Sequence, residues 1–267
     1  MNDTNHALIE VFNHILVIRL NRPEKKNALS PDILIRVYDA WQELKKNDNL
    51  RCAIVTGTKE VFCAGADLTA MYSGEQGNEQ ITKRMQEVPD LHWQALLRHN
   101  RPYKPIIAAV EGFALAGGTE LLHGTDIRVA SEKATFGLTE AKRGLFPLGG
   151  ATVRIPRQIP YTYAAEMLLT GKHINAYQAK EFGLIGEVVP KGTALEKAIN
   201  IAEQVAENSP VSIKAIMKSL RDLNEQVPEH KALEKELELG WPVFESEDAK
   251  EGLAAFSEKR KAIFKGK

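Results

Sequence analysis

The sequence predicts a mixed α/β fold of repeated ββα units that gives way, near residue 190, to an all-helical C-terminal region. Three observations carry this expectation. Short apolar segments of strand length, Cys52–Thr56, Ile106–Val110 and Ile127–Ala130, alternate with stretches of helical spacing. A hairpin pattern opens the chain. From Thr193 onward only helical periodicity is found.

Taken in order, Ile9–Phe12, the Asn13-His14 pair and Ile15–Leu20 read as strand, turn and strand. Ser30 before Pro31 is a helix start, a capping hydroxyl ahead of a proline at the first helical position. Leu34, Val37, Trp41 and Leu44 then recur on one helical face. The stretch 72–90 is polar, contains Gly74, Gly77 and Pro89, and reads as a loop or frayed helix. Gly117-Gly118 precede a short helix through Leu121 and Leu122. Thr193 and Glu196 have the spacing of a capping box, with Leu195, Ile199, Ala202 and Val205 on one face behind it. Pro210 starts a further helix. The chain therefore divides into a mixed core over 1–190 and a helical region over 191–267.

Composition excludes several classes. The 267 residues suffice for a large core, and 43% hydrophobic with 26% charged residues is ordinary for a soluble protein. Lys+Arg and Asp+Glu are both 35, so the formal net charge is zero, which argues against binding nucleic acid by bulk attraction. Two cysteines, Cys52 and Cys63, are too few for a disulfide framework or a four-cysteine zinc site and read as small buried apolar residues. Met1–Glu10 lacks the basic and apolar regions of a signal peptide, and the apolar runs are too short to span a bilayer. The expectation is a cytoplasmic protein with no membrane partner.

Two glutamates stand out. Glu120 ends the run Ile106–Val110, a turn and the Gly117-Gly118 pair; Glu140 ends Ala134-Thr135-Phe136-Gly137-Leu138-Thr139-Glu140. Carboxylates on different elements beside glycine-rich backbone are suited to dividing acid and base work. Taken singly, each also reads as a solvated acid at a helix end, and Gly117-Gly118 as a close helix–strand contact. Glu120-Leu121-Leu122-His123 is a Glu-x-x-His pattern, but a di-iron bundle needs a second, and none is present. No metal site is expected, and His123 reads as a packing residue. Asp67, in Phe62-Cys63-Ala64-Gly65-Ala66-Asp67-Leu68, reads as the N-cap of a short helix.

Phe62–Leu68, Ile106–Glu120 and Phe136–Glu140, in that order and at that spacing, resemble the crotonase (enoyl-CoA hydratase/isomerase) superfamily. So do Asn21-Arg22-Pro23 with Asn27-Ala28-Leu29, Leu169-Thr170-Gly171 and the Glu258-Lys259-Arg260-Lys261 tail, so the resemblance covers essentially the whole chain. It implies the crotonase fold with a helical C-terminal trimerisation region, and an assembly that is a trimer or hexamer. It implies hydration of a 2-enoyl-CoA to a 3-hydroxyacyl-CoA, with coenzyme A carried in by the acyl-CoA substrate and no separate cofactor. The implied catalytic pair is Glu120, activating a water for attack at C3, and Glu140, delivering a proton to C2. The implied oxyanion hole is the backbone N–H groups of Ala66 and Gly117. CoA and substrate contacts fall on Lys25, Ala64, Asp67, Leu68, Phe256 and Lys259, with Phe256 and Lys259 reaching a nucleotide that often belongs to a neighbouring subunit.

Two positions depart from the hydratase pattern. Thr139 stands where a proline is common, and Leu148, in Pro147-Leu148-Gly149-Gly150, stands where a glycine is common near the water site. Double-bond isomerisation with one glutamate as proton shuttle is the nearest alternative. An RNA-binding relative and a non-catalytic subunit are more distant ones, opposed by the zero net charge and by the intact pair of glutamates.

Overall fold

Alternating apolar residues on either side of Asn13-His14 make the opening hairpin. β1 (Ala7–Phe12) and β2 (Ile15–Leu20) pair antiparallel. Asn13 takes a left-handed φ of 52°, which a two-residue hairpin turn requires. The structure, a computed structural model, describes residues 5–68, 70, 79–222 and 229–267, with only the backbone at Glu229, His230, Ala232, Glu236 and Phe256.

After the hairpin the strands come in successive pairs: β3 (Cys52–Thr56) with β4 (Val61–Cys63), β5 (Ile106–Val110) with β6 (Phe113–Leu115), and β7 (Ile127–Ser131) with β8 (Thr135–Gly137). The first of each pair joins a six-stranded sheet, ordered β1-β2-β3-β5-β7-β10, where β10 is Glu187–Val189. The second joins a four-stranded sheet, ordered β4-β6-β8-β9, where β9 is His173–Asn175. Pairing is parallel from β2 to β10 and from β4 to β8. Each ββα unit thus contributes one strand to each sheet, and because β4, β6 and β8 run parallel their C-terminal ends lie side by side. The loops bearing the conspicuous glycines and glutamates leave from those ends and are brought together there.

Helix α1 (Pro31–Lys46) starts as its sequence predicts: the Ser30 hydroxyl accepts from Ile33 N at 3.2 Å. It buries Ile33, Val37, Ala40, Trp41 and Leu44, while Leu34 is half-buried. Trp41 Nε1 donates to Ala95 O at 3.0 Å, which satisfies the polar atom of an otherwise buried ring. Within the polar stretch 72–90, α2 covers Glu79–Glu87; residues 71–78 lie outside the described residues. α3 (Leu91–Ala95) and α4 (Gly117–His123) follow, the latter buried at every position. Then come α5 (Ala151–Gln158), α6 (Tyr161–Thr170) and α7 (Ala176–Glu181).

Both faces of the six-stranded sheet are covered. On β3, Ala53 and Val55 enter the main core, whereas Cys52 and Ile54 enter a second one. Side chains alternate along a strand, so burial on both faces explains the unbroken apolar runs seen in the sequence. The second core is closed by α8 (Ala194–Ala206), which lays Ala194, Ala198 and Ala202 against Ile15, Ile54 and Ile107. Its start differs from the expectation of a capping box. The Thr193 hydroxyl donates to Pro190 O at 2.8 Å and caps no helical N–H. Instead the buried Glu111 supplies the acceptor: its Oε1 takes N–H bonds from Gly192 at 3.0 Å and Ala194 at 3.1 Å. A carboxylate held at a helix start by tertiary structure has displaced the local hydroxyl.

The remaining helices are α9 (Pro210–Asp222), α10 (Glu229–Phe244) and α11 (Glu247–Ser257). The tail beyond them is tied back. Arg51 donates to Ala206 O and to Phe264 O, and Asp248 accepts from Ser209 Oγ and from the Lys265 and Gly266 amides. Large apolar side chains remain exposed here, among them Trp241, Phe244, Leu253 and Ile263. Among the described residues no helix is long and apolar enough to cross a membrane.

Candidate active site

Two loops, one after β4 and one after β6, meet where those neighbouring strands end. Gly65 has φ +93°, and a Cβ there would lie 2.7 Å from Ala116 Cβ, so only glycine allows this approach. Ala116 itself sits at φ 49°, ψ −123°, a sparsely populated conformation for a residue with a side chain, immediately ahead of α4. The turn leads into Gly117. Among the described residues, neither the Ala66 N–H nor the Gly117 N–H is spent on a hydrogen bond within the chain.

The first of these loops is held by residues from the opening segment. Leu29 N donates to Gly65 O at 2.8 Å, and Ala64 N donates to Lys26 O at 3.0 Å. Asn27, fully buried, donates from Nδ2 to Val61 O and Phe62 O. Asp67 is the cap its sequence suggests, with Oδ1 accepting from Ala70 N at 3.1 Å. Its Oδ2 accepts from Arg22 Nη1 at 2.6 Å, and this bond holds the Asp67 carboxyl below the usual carboxylate range. Both ends of Asp67 are thereby occupied in orienting the loop.

A cavity of about 1030 Å³ opens beside these loops. Ala64, Ala66, Asp67, Leu68, Gly117, Glu120, Thr139, Glu140 and Leu148 all line it, together with His92, Trp93, Leu145 and Phe146. The two glutamates, on separate elements, thus share one cavity. Glu120 lies one turn along α4 from Gly117, on the same helical face. Glu140 opens a 3-10 turn, Glu140–Arg143, directly after β8.

Their surroundings differ. Glu120 Oε1 accepts from Ala151 N at 3.3 Å. Gly149 packs so tightly on the same carboxylate that a Cβ there would lie 2.7 Å from Oε2. Burial pushes the Glu120 carboxyl up to about 7; the nearby Glu140 adds to the rise, while the Ala151 and Gly149 amides and Arg154 oppose it. Burial likewise raises Glu140, whose Oε2 is buried with no partner among the described residues. Burial thus favours the neutral form of both carboxyls, and the charge of Glu140 adds to the effect on Glu120.

The other residues that the sequence singles out lie away from this pair. Lys25, in the 3-10 turn Pro23–Lys25, and Lys259, beyond α11, are exposed and do not line this cavity. The Phe256 side chain lies outside the described residues. His123 is buried with Nδ1 paired to Gln158 Oε1 at 3.0 Å; burial and the charge of Arg128 push it down to about 3, so it packs as a neutral ring. Cys52 and Cys63 are buried free thiols pushed up to about 12. No cluster of three or more His, Cys, Asp or Glu placed to hold a metal occurs among the described residues. Sequence reasoning passes over His92 and Trp93 in the cavity wall and the amides of Gly149 and Ala151 on Glu120. Only the Gly149-Gly150 pair carries a local signal.

The family model for enoyl-CoA hydratase/isomerase matches residues 10–267. This chain belongs to that family. An enoyl-CoA hydratase of Mycobacterium tuberculosis is 47% identical over 98% of this chain and 97% of its own length. An (E)-benzylidenesuccinyl-CoA hydratase of Thauera aromatica is 36% identical over 97% of this chain and 98% of its own. Among solved structures, an enoyl-CoA hydratase from Mycobacterium tuberculosis H37Rv superposes with a TM-score of 0.86 at 38% identity, covering 98% of this chain and 100% of that one. The paired sheets and helical C-terminal region are the crotonase fold, and the protein is an enzyme of the enoyl-CoA hydratase family.

Proposed function

We propose that this enzyme adds water across the C2=C3 bond of a 2-enoyl-CoA, giving a 3-hydroxyacyl-CoA, with no cofactor beyond the coenzyme A of its substrate. The observation that carries the reading is the pair of buried glutamates facing one cavity alongside two unspent backbone N–H groups. In this mechanism the thioester oxygen lies between the Ala66 and Gly117 amides. They stabilise the negative charge that moves onto it as the C3–O bond forms. Glu120, whose carboxylate form is favoured by the Ala151 and Gly149 amides, takes a proton from the attacking water. Glu140, with an unpartnered oxygen in a site that favours its neutral form, gives a proton to C2. One O–H bond of water, the O–H bond of Glu140 and the C2=C3 π bond break; a C3–O bond, a C2–H bond and an O–H bond on Glu120 form, and a proton passing from Glu120 back to Glu140 resets the pair.

The Ala64 backbone, Asp67 and Leu68 fit contacts along the pantetheine and adenine. Lys25, Phe256 and Lys259 fit contacts to the nucleotide outside the cavity, the last two from a neighbouring subunit. The exposed Trp241, Phe244, Leu253 and Ile263 support a homotrimer or homohexamer built through the C-terminal helices. The test is a series of 2-enoyl-CoAs of different acyl length, branching and aromaticity, offered to the purified chain. Loss of the conjugated-thioester absorbance with a product heavier by one water is expected. A product of unchanged mass, or no turnover with any of them, overturns the reading.

A further inference from the structure

The segment after α3 is turned out of helical conformation at two residues that have side chains. Leu97 has φ 56° and Asn100 has φ 56°. Such a conformation persists only where surroundings impose it. Here Leu97 is buried against the end of α4, the helix that carries Glu120. A Cβ on Gly124 would lie 2.4 Å from Leu97 Cβ, so the fit leaves no room at position 124. The tight turn closes through Arg98 N donating to Trp93 O at 2.9 Å.

The conformation presents Arg98 to two parts of the site at once. Its Nε donates to Leu148 O at 2.9 Å, and its guanidinium carbon lies 5.6 Å from the centre of the Trp93 ring. Trp93 and Leu148 both line the cavity. The residues following Leu148 supply the Gly149 and Ala151 amides that act on Glu120. The Arg98 carbonyl accepts from Arg154 Nη2 at 2.7 Å, which ties the same segment to α5.

We propose that Arg98 is a positioning residue for Glu120: it fastens the 148–151 loop to the cavity wall at Trp93 and so keeps the loop's N–H groups on the Glu120 carboxylate. The inference rests on the reading of Glu120 as the base. Arg98 touches neither the water nor the thioester and acts through the loop.

Arg98→Met tests this, since it removes the donor and the charge but keeps a straight stem over Trp93. We expect kcat to fall about 10- to 100-fold, as misplacement of a supporting group by roughly 1 Å does, with little change in KM. The acid limb of kcat/KM should move to higher pH, because a carboxylate that loses N–H donors is harder to ionise. The groups facing Glu120 are Glu140 from the 3-10 turn, Arg154 from α5 and the amides of Gly149 and Ala151. Arg98→Lys, which retains a donor and a charge, should recover part of both effects. A crystal structure of Arg98→Met should show the Ala151 amide drawn away from Glu120. Normal kcat with an unmoved limb overturns the proposal; so does lost activity with the limb and loop unmoved in both variants. Glu120→Gln in the same assay separates the two ideas. Wild-type turnover in Glu120→Gln defeats the reading of Glu120 itself. An inactive Glu120→Gln beside a normal Arg98→Met defeats only the role of Arg98.

Discussion

Glu111 and Glu120 belong to the same stretch of chain and are equally buried, each 5% exposed, yet they do different things. Glu111 is turned onto the start of α8, where one oxygen takes two backbone N–H bonds and closes the second core. Glu120 takes a longer bond from Ala151, is also acted on by the Gly149 amide, and faces a cavity it shares with Glu140. Burial alone therefore does not mark a reactive carboxylate. The discriminating features are a second carboxyl close by and open space in front of it.

The comparison breaks most sharply on turnover. Glu120→Gln and Glu140→Gln should each lower kcat by about 10²- to 10⁴-fold, the usual contribution of a general acid or base, in steady-state hydration assays. Glu111→Gln should leave the kcat of folded enzyme essentially unchanged; a collapse of kcat there would erase the distinction.

Next in size is a pH effect on stability. The Glu120 carboxyl rises from an ordinary 4.5 to about 7 on folding, so between those values the native state binds more protons than the unfolded one. The stability linked to its protonation is fully present below about 4.5 and is lost as pH rises through about 7. Glu120→Gln buries no charge, so it should melt above the wild type at pH 8, by up to about 3 kcal/mol of stability. The gap should close near pH 4.5. Thermal melts at the two pH values decide; a gap that widens towards acid contradicts the sign.

Glu111→Ala strands the Gly192 and Ala194 amides beneath α8. It should cost about 1–3 kcal/mol in denaturant titrations, the usual penalty for buried donors left unpaired. Thr193→Ala sharpens the same point from the other side. Its hydroxyl caps no helical N–H, so the loss should stay under about 0.5 kcal/mol. A larger loss would restore the capping box that the sequence suggests.

What can be read from the sequence follows the reach of each interaction. The opening hairpin, the Ser30 cap, the apolar strands β3, β5 and β7 and the helix after Gly117 are set by neighbours a few residues apart, and they stand where the pattern predicts them. The three-residue strands β4, β6, β8 and β9 are too short to carry a period, so the second sheet leaves no local trace. The start of α8 departs from its local pattern because its acceptor, Glu111, comes from a distant strand junction. Glu120, Glu140, Ala66 and Gly117 are legible through motif resemblance. Spacing says nothing of whether they meet, and the shared cavity supplies that. Trp93, Arg98 and the Gly149 and Ala151 amides converge only through tertiary contacts.

The late position of α8 in the chain also has a kinetic consequence. Ile15, Ile54 and Ile107 wait, as the polypeptide emerges, for alanines that begin at residue 194. At about 5–20 residues per second Ile15 stays uncovered for roughly 10–35 s of synthesis and the completed face, once Ile107 is made, for roughly 4–17 s. A nascent chain stalled before residue 194 should accordingly be the species that chaperones bind and that aggregates, whereas a chain extended past α8 should release from them.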